Sequence, residues 1–113
     1  MAGIIAAVAE NVETRRVFLD GSTRSHACLR SVAVGLGVYQ PGWRWSKHAG
    51  PQIGKPSENH VGYILSGTMI IQDTQGREQR VEAGSAFEIE AGGDAWVVSA
   101  EPCTALDFIP LKP

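Results

Sequence analysis

The stretch HVGYILSGTMIIQD, His60–Asp73, decides the reading of the fold. Two apolar, β-prone runs, His60–Leu65 and Thr68–Asp73, flank the pair Ser66-Gly67. Such a pair between such runs predicts a tight turn joining antiparallel strands. The pattern continues outward on both sides. Downstream, Asp73-Thr74-Gln75-Gly76 is a second turn. Strands are then expected at Arg77–Glu82, Ala86–Glu90, Ala95–Ser99 and Thr104–Ile109, with turns at Ala83-Gly84 and across Ala91-Gly92-Gly93-Asp94. Upstream, Trp43–His48 reads as a strand after the Pro41-Gly42 turn, Cys28–Tyr39 as a long valine-rich strand, and Arg15–Leu19 as a strand closed by Asp20-Gly21. Eight to ten short strands with regularly spaced turns predict an all-β sandwich or barrel, of which the jelly roll is one stable solution.

The chain has 113 residues, enough for a single core, and no charge block or low-complexity tract divides it. One domain over 1–113 is expected, with residues 1–12 as an apolar N-terminal arm or short helix and 14–110 as the barrel. Thirteen glycines and six prolines fit a chain with many turns. The net charge is −2 with no basic stripe, which argues against nucleic acid and anionic membranes as partners. The apolar start lacks a basic leader region, and no run reaches the length of a membrane helix. A cytoplasmic protein is expected, with Cys28 and Cys103 as free thiols.

Four segments carry a family resemblance: PGWRWSKH (41–48), HVGYILSGTM (60–69), GSAFEIEAGGDAWVV (84–98) and EPCTALDF (101–108). Together they resemble the small single-domain cupins over residues 14–110, which implies the double-stranded β-helix, or jelly-roll, barrel. In the first cupin motif the turn glycine falls on Gly42, the first histidine on His48, the second histidine place on Gly50, the glutamate place on His60, and the closing glycine on Gly67. In the second motif Gly84 and Gly92 match, while Glu90, Ala95 and Ser99 hold the proline, histidine and asparagine places. The turn glycines are kept and most of the usual ligands are not. The PGWRWS stretch also resembles a subgroup of small cupins that carries a histidine after the second-motif glycine; here that place is Gly93.

Side chains alternate across a strand with period two. An inward His60 takes Gly62 and Ile64 with it and turns Val61, Tyr63 and Leu65 outward; Gly62 would leave space beside the imidazole. On a strand at 43–48, His48 would share its face with Arg44 and Ser46. His48 and His60 are the expected pair of imidazoles, and one divalent transition metal (zinc, nickel, iron or manganese) is a candidate cofactor there. Glu58 and Gln52, from the eleven-residue loop 49–59, are the candidates to complete the ligand set, and Asp94 is a further one. The expected pocket comprises Arg44, Ser46, Trp45, Gly62, Ile64, Asp94 and Trp96, with Arg44 suited to a substrate carboxylate. His26, in the turn-like GSTRSH, reads as a solvated loop histidine.

No nucleophile elbow, HExxH or phosphate loop is present. The sequence therefore points to a small-molecule-binding cupin, either metal-binding through His48 and His60 or metal-free. The alternatives are a metal-dependent enzyme of dioxygenase, isomerase or decarboxylase type, and a non-catalytic regulatory or dimerisation domain. A homodimer through an outer sheet face is expected.

Overall fold

The computed structural model describes residues 3–111. Nine strands form two sheets. They are β1 (Arg16–Val17), β2 (Thr23–Cys28), β3 (Val32–Tyr39), β4 (His60–Ser66), β5 (Thr68–Gln72), β6 (Glu78–Glu82), β7 (Ala86–Ile89), β8 (Asp94–Val97) and β9 (Cys103–Pro110). One sheet runs β1-β2-β3-β9-β4-β7 and the other β6-β5-β8, all pairs antiparallel. The return of β9 between β3 and β4 is the crossover expected of a jelly roll.

The turns are fixed where the motif glycines stand. Gly42, Gly67, Gly84 and Gly92 all have φ between 79° and 91°, a region that side chains with a Cβ rarely adopt. Gly67 is doubly constrained, because a Cβ there would lie 2.6 Å from the Cys103 Cα and the Pro102 carbonyl oxygen. No larger residue fits where β4 turns into β5 against β9.

The core lies between the sheets. Ile64 and Cys103 are wholly buried, and Met69, Ile71, Val81, Val97, Trp43 and Phe18 pack around them. β4 alternates as its sequence demands: Gly62 and Ile64 are buried while Val61, Tyr63 and Leu65 are exposed. The two cysteines are free thiols, Cys28 exposed and Cys103 buried. Burial, with the Glu101 charge, pushes the Cys103 thiol up to about 11.

Two stretches differ from the sequence reading. The segment expected as a strand over Trp43–His48 is instead a wide helical turn over Trp45–Ala49, continued by a one-turn helix, α1 (Gly50–Ile53). Polar side chains satisfy the turn's N–H groups. His48 Nδ1 accepts from the Arg44 N–H at 2.9 Å, and Asp94 accepts from the Ser46 N–H at 3.0 Å. The expected long strand Cys28–Tyr39 is in fact the second arm of a hairpin: β2 covers the Ser/Thr/Arg-rich 23–28, and the chain reverses at Leu29–Ser31 before β3.

The N-terminal arm has no helix within its described residues before a single 3-10 turn at Val12–Thr14; Met1 and Ala2 lie outside the described residues. The arm is tied to β2, where Ser25 Oγ donates to the Ala9 carbonyl and Thr14 Oγ1 to the His26 carbonyl. Among the described residues no helix is long and apolar enough to cross a membrane.

Candidate functional site

A cavity of about 370 Å³ opens between the sheets, at the end where loop 54–59 crosses. Its walls have two chemical characters. Phe18, Trp43, Met69, Ile71, Phe87 and Ile89 make one side apolar. On the other, β2, β3 and β9 present Arg24, Tyr39 and Asp107.

Arg24 and Asp107 form a two-pronged ion pair. Arg24 Nη2 donates to Asp107 Oδ1 at 2.8 Å and to Oδ2 at 2.9 Å, and Nε donates to Oδ2 at 3.2 Å. Such fork geometry is the strong form of an ion pair. The residues opposite are glycines for a spatial reason. A Cβ on Gly35, the cross-strand partner of Asp107, would lie 2.0 Å from Asp107 Oδ1 and 2.6 Å from Arg24 Nη2. A Cβ on Gly37 would lie 2.3 Å from the Tyr39 ring. Both glycines stand on the inward face of β3, and their missing side chains make room for the polar cluster. Burial works against the Arg24 charge, but Asp107 outweighs it and raises the guanidinium pKa. Burial, then the charge of Asp107, holds the Tyr39 phenol well above its usual range, so it remains a hydroxyl. Tyr39 is steadied from behind by Trp43, whose ring centroid is 4.3 Å away.

The expected site residues divide. His60, Glu58, Trp45 and Asp94 line the cavity. His60 Nδ1 lies 3.0 Å from the Glu58 carbonyl oxygen. A carbonyl only accepts, so Nδ1 carries a proton. Glu58 also pairs with Lys55 at 3.4 Å, both well exposed.

His48 does not line the cavity; with Nδ1 accepting from the main chain, its neutral ring carries the proton on Nε2. Gln52 also stands away from the cavity and gives its amide to the Val17 carbonyl. Arg44 is engaged elsewhere: its Nε donates to Asp94 at 2.9 Å, and its guanidinium lies 4.2 Å over the Trp96 ring. Ser46 donates its hydroxyl to the same Asp94 carboxylate. Burial opposes the Asp94 charge, but the bonds from Ser46 and Arg44 prevail and hold its carboxyl below the usual range. Trp96 stacks outside while its neighbour Ala95 faces in, as alternation requires. Ile64 belongs to the solid core. The space expected beside Gly62 is filled, since the Phe87 ring lies where a Cβ at Gly62 would come within 2.4 Å of it.

The two imidazoles thus do not share a site, and among the described residues no three His, Cys, Asp or Glu side chains converge to hold an ion. At Gly93 the backbone is pressed so close to the Gln72 carbonyl and Ile89 that a Cβ would meet them at 2.6 and 2.7 Å. No side chain fits at that place. The donor set does not suit a tightly held divalent metal.

The mouth is built by the long loop. Lys55, Pro56, Ser57 and Glu58 line it. Four bonds lash it to the β7–β8 turn: Gly92 N–H to the Ser57 carbonyl and to Ser57 Oγ, Ser57 Oγ to the Gly93 carbonyl, and Ala91 N–H to Asn59 Oδ1. His26, expected in a loop, lies on β2 and lines the cavity with Arg16.

This architecture recurs in solved structures. A sugar phosphate isomerase from a cupin superfamily of Silicibacter pomeroyi superposes with a TM-score of 0.62 at 19% identity, over 88% of this chain and 71% of that one. The chain is a small cupin-fold domain. KdgF from Halomonas sp. matches this cupin-fold domain at 0.62 and 16% identity, over 87% and 88% of the two chains. An uncharacterized double-stranded β-helix protein from Klebsiella pneumoniae matches it at 0.62 and 15% identity, over 87% and 84%. No family model and no curated protein matches the sequence. At these identities the likeness establishes the fold, and the domain's chemistry has to be argued from its own residues.

Proposed function

We propose that this cupin binds a small organic molecule between its sheets, with an apolar body against Trp43, Met69, Ile71 and Phe87 and a polar end against Arg24, Asp107 and Tyr39. The observation that carries the reading is the ion pair that faces the cavity opposite its apolar wall. A polar cluster that served stability alone would gain little over packed hydrophobic side chains, because desolvation offsets most of the attraction. Glycines kept clear to hold it, beside open volume, fit a recognition role. The protein is read as a cytoplasmic homodimer that pairs through the outer face of β3, β9 and β4, where Val34 and Val61 flank Phe108 and Leu36 and Tyr63 flank Leu106.

The test is direct. Cyclohexanol at millimolar concentration, titrated into isotope-labelled protein, is expected to shift amide resonances of cavity-lining residues. Ala95→Phe, which fills the cavity from β8, should abolish those shifts while the spectrum stays folded. Shifts confined to the outer sheet face, or equal shifts in the variant, would refute the reading.

One observation favours an enzymatic variant of the same reading. His60 lines the cavity with Nδ1–H on the Glu58 carbonyl, and in the neutral form of that tautomer Nε2 is the nitrogen that would take a proton from a ligand. Turnover that disappears in His60→Gln but persists in His48→Gln would support it.

A further inference from the structure

Resting on that binding role, we infer that the cavity selects an uncharged ligand bearing two adjacent oxygens, at least one of them a hydroxyl, over a carboxylate or phosphate of the same size. The reason is the bonding already in place at the polar wall. Arg24 spends Nε and Nη2 on Asp107 and retains the two N–H groups of Nη1. Asp107 still has lone pairs to offer, and the Tyr39 hydroxyl has no hydrogen-bond partner within the protein among the described residues. Donor, acceptor and hydroxyl therefore stand together on three neighbouring strands. A hydroxyl both gives and takes hydrogen bonds, so a diol or hydroxy-ketone can donate to Asp107 and accept from Arg24 and Tyr39. An anion only accepts, and it would meet the Asp107 carboxylate at close range.

The remaining charges do not alter that balance. Around the cavity Arg16, Arg24 and Lys55 face Glu58, Asp94 and Asp107, three of each sign. Asp94 is tied to Arg44, and Glu58 to Lys55. Arg16, the cross-strand neighbour of Arg24, has no ion-pair partner among the described residues, and its exposure to solvent screens its charge. His26 and His60 also line the cavity. The phenol of Tyr39 stays protonated, which keeps it a donor at neutral pH. The glycines at 35 and 37 leave the space that the Arg24, Asp107 and Tyr39 side chains occupy together.

The experiment compares two probes on the full chain: cis-cyclohexane-1,2-diol and cyclohexanecarboxylate. Binding is followed by amide shifts and by the Arg24 Nε–H resonance. The diol is expected to bind at least about tenfold more tightly than the carboxylate and to shift the Arg24 signal. Asp107→Asn removes the repelling charge and frees Arg24, so it should reverse the preference toward the carboxylate. A wild-type protein that binds the carboxylate as well as the diol overturns the inference, and this comparison needs no variant to fold. If neither probe, nor cyclohexanol, moves a cavity resonance, the binding role itself fails, and the two failures are told apart.

Discussion

Gly35→Ala puts the reason for the glycine-rich β3 to a quantitative test. In most strands an alanine in place of glycine stabilises by about 0.5–1 kcal/mol, because the unfolded chain loses freedom. Here the added methyl would lie 2.0 Å from Asp107 Oδ1 and 2.6 Å from Arg24 Nη2, so the pair must part. Separating a buried pair costs about 3–5 kcal/mol. The Arg24 and Asp107 side chains retain 27% and 18% exposure, and solvent screening reduces the cost to about 1.5–3 kcal/mol. Set against the backbone gain, the net expectation is a loss of about 1–2 kcal/mol. For a chain of this length that is a fall in Tm of roughly 4–8 °C. Urea unfolding followed by circular dichroism measures it, and the control is a cycle with Asp107→Ala. In that background the methyl has no carboxylate to displace, so Gly35→Ala should be neutral or stabilising. An alanine harmless in the wild type, or equally harmful in both backgrounds, would show that β3 carries glycine for some other reason.

Other expectations concern separate parts of the molecule. Asp94→Asn should destabilise by about 2 kcal/mol near neutral pH through loss of the charged bonds to Ser46 and Arg44. Because the folded-state carboxyl titrates below its unfolded value, the difference from wild type is fully present above about pH 4 and fades as pH falls through the folded value; chemical denaturation across that range checks it. In native protein at mildly alkaline pH, iodoacetamide should label Cys28 and spare Cys103, whose thiol is buried and raised to about 11; mass spectrometry before and after unfolding counts the labels. Elemental analysis of protein purified without chelator is expected to find no stoichiometric transition metal, and a full equivalent lost in both His48→Ala and His60→Ala would overturn the geometric argument. Sedimentation should give a dimer mass that falls to the monomer in Tyr63→Glu, whose side chain lies on the outer face of β4, and in protein lacking residues 1–12.

Strands with one oily face announced themselves. β4 through β9 are legible because their alternation and their glycine turns agree, and of the expected site residues His60, Glu58, Trp45 and Asp94 line the cavity. β2 is not, since its cavity-facing residues are Arg24 and His26, and a strand whose inward positions are polar has the composition of a loop. The same inversion hid the ion pair. The clue was GLG at 35–37: two glycines on one face of a strand signal that something large on the neighbouring strands needs their space. The misplacement of His48 and Arg44 has another origin. Strand parity does not hold over 43–48, where contacts with Asp94, fifty residues away from Arg44, accompany a helical turn that local pattern does not encode.

The lashing of loop 54–59 to the β7–β8 turn has a consequence for how contents are exchanged. A portal tied to the neighbouring turn by the main chain and side chain of Ser57 and by Asn59 is held in place, so entry is governed by the shape and charge of its aperture. Lys55 and Glu58 project from that frame without holding it together. Their replacement can therefore retune which molecules are admitted while the barrel beneath keeps its register.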